Sequence, residues 1–206
     1  MRIRTIASIA AVGAALLTAT TPRVAFPQDG PTADFLTARR LVAEQQFGRA
    51  AYALGAASVY VRQEIGRSRD ESVGMRLMDA ESRLDGLVAR VRASHAPSAA
   101  SLDSVFAQTD RLLAEHHWRL AGWELANLRS ASRASLGQDL GAAASHFARS
   151  FRFANQEPSA AAAQAIADAR RVADTIASTD AVPKETASVL EALGRQIVPA
   201  VVIAIR

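Results

Sequence analysis

Between Leu36 and Ile65 the apolar and small residues return with the period of an α-helix, and that regularity is the tightest constraint in the chain. At roughly 100° per residue, Leu36, Ala43, Ala50, Ala51, Leu54, Ser58, Val61 and Ile65 all fall within about 60° of Phe47. Such a stripe buries against another element only if the stretch is helical. Leu41, Tyr52 and Val59 lie on the far side, so the helix offers a second apolar face. Thr32 is the expected N-cap, and Gly66 the expected stop, because glycine enters the left-handed conformation that ends many helices.

A run of the same length follows 71 residues later, from Phe106 to Gly137. Residues 35–66 and 106–137 share nine of 32 positions: Phe35/Phe106, Arg40/Arg111, Leu41/Leu112, Ala43/Ala114, Glu44/Glu115, Ala50/Ala121, Leu54/Leu125, Arg62/Arg133 and Gly66/Gly137. Phe47/Trp118 and Tyr52/Trp123 keep aromatic character. The 71-residue spacing is about twice the common helix-pair repeats, whose glycine and proline signatures are missing, so a solenoid is not expected.

The remaining segments are helical as well. Asp70 and Glu71 open one that closes at His95 to Pro97, with Met75, Met78, Leu84, Leu87, Val88 and Val91 on its apolar side. Ser101, Asp103 and Ser104 lead into the second long run, and Gln138 to Asn155 forms the next segment. Ser159 to Ser178 is rich in alanine, Lys184 to Ile197 forms a last helix, and an apolar tail runs from Val198 to Ile205. The expected fold is all-α: a single bundle of five or six helices, with the first and third long helices quasi-equivalent.

Residues 1–28 read as a secretory signal peptide, with Arg2 and Arg4 before the short apolar core Ile6 to Ala19. An uncleaved anchor is the alternative, and would be the chain's one tie to a membrane. Residues 29–206 then form the helical-bundle domain, in the periplasm or outside the cell. The formal charge of +4 shrinks to +1 from Asp29 onward, where 21 basic residues face 20 acids. That balance excludes a bulk electrostatic case for nucleic acid. Cysteine is absent, which excludes disulfides, thiol catalysis, thiolate metal sites and covalent haem attachment.

Phosphate loops, dinucleotide glycine motifs and glycine-flanked nucleophile turns are missing, so an enzyme is not expected. His116 and His117 are adjacent, and neighbouring helical positions point about 100° apart, which argues against chelation of one ion by the pair. Asp110, His117 and Glu124 share one side at seven-residue spacing, but each step is about 10.5 Å along the axis. No metal and no cofactor is therefore expected. The sequence favours a non-catalytic exported protein that meets a protein partner, or its own copy, through Leu41, Tyr52, Val59, Leu112 and Trp123. The alternative is a small metal- or haem-binding redox or sensor bundle. It requires two of His95, His116, His117 and His146 to converge, or one to face Met75 or Met78.

Overall fold

The computed structural model describes residues 30–128 and 132–203, with side chains described through residue 198. The signal or anchor expected at residues 1–28 lies outside the described residues. Those residues form seven α-helices and no strand, so the all-helical expectation stands while the count exceeds five or six.

The additional helix comes from a break in the first long run. α1 (Thr32–Ala43) and α2 (Phe47–Arg67) are separated at Glu44 to Gln46. Gln45 takes a left-handed φ of 57°, its N–H donates to Val42 O at 3.0 Å, and the Gln46 N–H donates to Leu41 O at 2.8 Å. This is a glycine-type helix closure built on glutamine. The break frees α1 to swing Phe35 onto Phe106, with ring centroids 4.2 Å apart and nearly parallel, and edge-on to Phe153 at 5.9 Å.

α3 (Glu71–Arg92) starts at Asp70, whose carboxylate accepts from the N–H groups of Ser72 and Val73. α4 (Ala99–Ala126) starts at Ser98, whose hydroxyl accepts from the Ser101 N–H. α5 (Arg133–Phe153), α6 (Ala160–Thr179) and α7 (Thr186–Ile203) complete the order. Ser94, Asn155 and Asp180 repeat the left-handed ending seen at Gln45.

Gly66 and Gly137 end no helix: α2 continues to Arg67, and Gly137 sits in the first turns of α5. Gly137 instead serves close packing, with Ile176 3.1 Å from where its Cβ would be, whereas Gly66 faces open space. A Cβ on Gly194 would lie 2.4 Å from the Trp118 indole, whose N–H donates to Leu190 O at 2.8 Å, so α7 rests directly on α4.

The two long sequence runs are consequently not equivalent in structure. One is two helices; the other is α4 followed, after a connection, by the start of α5. α2 packs chiefly on α3, and α4 on α5 and α7, while α1 meets α4 through Phe35 and Phe106. Two apolar cores result. Phe35, Leu54, Leu77, Leu84, Phe106 and Leu113 anchor one, and Leu136, Leu140, Phe147, Ile166, Ile176 and Leu193 anchor the other. α4 contributes to both. Among the described residues, no helix is long and apolar enough to cross a membrane.

Candidate metal centre

Where α2, α4 and α5 meet, the interior is ionisable instead of apolar. Glu64, Asp110, His116, His117, Asp139 and His146 are all buried, and the helix register explains how they find one another. Asp110 and His117 stand seven residues apart on α4, and Asp139 and His146 stand seven apart on α5. Two turns separate each pair, so all four side chains share the facing sides of the two helices. The helices run antiparallel, and each aspartate meets the other helix's histidine. Asp139 Oδ1 lies 2.6 Å from His117 Nδ1, and Asp110 Oδ1 lies 2.6 Å from His146 Nδ1. The two imidazoles lie nearly parallel, at 7°, with centroids 5.4 Å apart.

α2 adds the third wall through Glu64. Its Oε2 is 3.0 Å from His116 Nε2 and 3.9 Å from His117 Nε2. Glu64, His116 and His117 each offer a ligand atom within 4.8 Å of the other two. The adjacent histidines do leave α4 in different directions, with ring planes 61° apart, yet both rings reach the same carboxylate because it arrives from another helix. Adjacency on α4 therefore does not keep the two ring nitrogens from one carboxylate. The wheel of one helix shows where Cβ atoms point, not where ring nitrogens end.

Two of the three ligand separations fall within the span of one small metal ion. With bonds of about 2.1 Å, separations of 3.0 Å and 3.9 Å from Glu64 Oε2 correspond to oxygen–metal–nitrogen angles of about 91° and 136°. His117 Nε2 and His146 Nε2 are buried with no hydrogen-bond partner. His117 is held at Nδ1 by Asp139, the outer-shell arrangement that orients a histidine to ligate through Nε2, whereas His146 Nδ1 meets both Asp110 and the Arg149 guanidinium, which donates to it at 2.9 Å.

Electrostatics keep the first carboxylate ready. Burial alone would raise Glu64, but the His116 hydrogen bond, His117 and Arg67 outweigh it and hold it at about 2. Burial pushes Asp110 up to about 7 against the pull of Arg149. Burial and the neighbouring Asp139 push Glu124 to about 7 as well. Burial lowers His116, and burial reinforced by Arg149 lowers His146 well below its ordinary value, so both favour the neutral imidazole that a metal requires.

The residues singled out in the sequence scatter. Leu41 is 2% exposed: it belongs to the last turn of α1, and the break after it turns its side chain into the first core. Leu112 is half-buried against the same core, while Tyr52 and Val59 are 81% and 48% exposed. Trp123 is 41% exposed beneath the Arg69 guanidinium, which lies 4.7 Å from its ring. The proposed five-residue face is thus not continuous. Met75 and Met78 are exposed, as is His95, and none of them joins the other histidines. The repeated Asp-x6-His spacing was the sequence signal for the buried cluster; Glu64 had none.

No known protein family matches the chain, and neither a curated protein nor a solved structure is detectably similar to it. The fold and site define a class by themselves: a helical bundle with a histidine–carboxylate centre buried between two apolar cores.

Proposed function

We propose that this protein binds a divalent transition-metal ion in its interior, with Glu64, His116 and His117 as ligands and Asp139 as the outer-shell support of His117. The observation that carries this reading is the buried, unpartnered Nε2 of His117, 3.9 Å from a carboxylate oxygen that His116 already holds at 3.0 Å. Buried polar atoms are nearly always satisfied, and an ion would satisfy this one. Imidazole and carboxylate donors without a thiolate or nearby thioether suit zinc, iron(II), nickel or copper(II) better than copper(I). Haem is disfavoured, because both candidate methionines face solvent and the His117 and His146 rings, with centroids 5.4 Å apart, leave no room for a macrocycle between them.

The ligands are sealed, at 1%, 1% and 2% exposure for Glu64, His116 and His117. That suits an ion held for structure, storage or sensing, where no substrate has to reach it. The leader read at residues 1–28 supports export, and so a role in taking up or holding metal outside the cytoplasm. A contact surface for a protein partner is the second reading. Tyr52 and Val59, exposed two helical turns apart on α2, favour it.

The test is metal titration of chelator-stripped protein. At a free Zn²⁺ concentration of 100 Kd the native state gains about 2.7 kcal/mol. For a domain of this size that raises Tm by about 5–11 °C. His117→Gln should abolish the rise. Stripped protein that takes up neither Zn²⁺ nor Co²⁺ and melts unchanged overturns the reading.

A further inference from the structure

A partly exposed arginine lies over the buried carboxylates of the site. Arg67 is the last residue of α2, and its side chain is 40% exposed, whereas Glu64 and Asp139 beneath it are at 1% and 3%. Its guanidinium grips all four carboxylate oxygens: Nη1 donates to the two oxygens of Glu64 at 3.1 and 2.9 Å, and Nη2 to the two of Asp139 at 3.0 Å each. Two of these oxygens are those the histidines use, Glu64 Oε2 toward His116 and Asp139 Oδ1 toward His117. Beside His146 the cluster is closed by backbone. Gly30 approaches so closely that a Cβ there would lie 2.7 Å from His146 Cε1 and 3.4 Å from the Tyr60 ring.

We propose that Arg67 is the gate and exchangeable counter-ion of this centre, holding the place of a divalent cation and swinging outward when one arrives. The inference rests on the metal-binding reading above. Without metal, the fork supplies one positive charge to two buried carboxylates and blocks the lone pairs an ion needs. With metal, the ion supplies two charges, takes Glu64 Oε2, and repels the guanidinium. Arg67 can leave without disturbing a helix, because Ser68 beyond it is already extended, with ψ of 129°. A monovalent ion would replace the guanidinium's charge without improving on its four hydrogen bonds, so the gate discriminates for divalent ions.

Stopped-flow mixing of chelator-stripped full-length protein with Co²⁺, read by visible absorption, tests this. Arg67→Met keeps the stem and removes the fork, and should bind Co²⁺ at least tenfold faster than wild type. Arg67→Lys, which retains charge but not the fork, should fall between them. Equal rates in wild type and Arg67→Met overturn the gate and leave the metal site standing; binding by neither overturns both. Modification of wild-type Arg67 by phenylglyoxal, followed by peptide mass spectrometry, gives a readout that needs no variant. The residue should react faster with Zn²⁺ present, and an unchanged rate overturns the proposal.

Discussion

Replacing Asp139 by leucine removes the acceptor on which α2, α4 and α5 converge. Asp139 lies 2.6 Å from His117 Nδ1 and accepts two hydrogen bonds of 3.0 Å from Arg67. The variant leaves a buried imidazole and half of a guanidinium fork facing a methyl-rich side chain. Removing one partner from a buried ionic network costs about 3–5 kcal/mol. Two features of this site place Asp139→Leu at the lower end. Arg67 is 40% exposed and regains water, and Glu124 is relieved of a neighbouring negative charge that, after burial, helps hold its carboxyl at about 7. A loss of about 3 kcal/mol is a large share of the 5–15 kcal/mol typical of whole domains. It corresponds to a fall in Tm of about 6–12 °C. Urea denaturation followed by helical circular dichroism measures it. The loss from Arg67→Met and Asp139→Leu together should fall about 1–3 kcal/mol short of the sum of the two single losses, because the two groups share one network. A single-variant loss under about 1 kcal/mol would refute the reasoning, since it would mean that the network is already solvated.

Glu124 sets a pH dependence with a definite sign. Burial and Asp139 raise its folded-state value to about 7, with Arg67 opposing, against about 4.3 for an unfolded glutamate. Its contribution is therefore full near pH 4 and is lost as pH rises through about 7. Glu124→Gln should match wild type in urea midpoint at pH 4 and exceed it at pH 8, and equal midpoints throughout would contradict the assignment. Phe35→Ala empties the stack between α1 and α4 and should cost about 3–5 kcal/mol in the same assay. Gly194→Ala drives a methyl against the Trp118 indole and should cost about 1–3 kcal/mol, with a change in tryptophan emission as α7 shifts off α4.

Local chemistry made much of the fold legible from the sequence. The helical period of residues 36–65 needs no tertiary partner to be recognised, and Asp70 satisfies free N–H groups of α3 two and three residues along the chain. Ser159, by accepting from Ala162 N–H, starts α6 in the same way. Tertiary structure decided what depends on distant groups. Gln45 reaches a left-handed conformation without being glycine, as the packing of Phe35 on Phe106 rewards the break; the helical wheel, drawn as if α1 and α2 were one rod, put Leu41 on an outer face. Gly137 resembles a helix end in sequence but acts as a contact point for Ile176, because a glycine's role depends on which side chain lies against it. The buried centre divides the same way. The spacings Asp110 to His117 and Asp139 to His146 are written in the chain, yet they become a site only once α4 and α5 lie antiparallel in register. Glu64, 52 residues before His116, joins because α2 ends beside them. Periodicity fixes which face of a helix is buried, whereas convergence of side chains is a property of how three helices are placed, and no single helix carries that information.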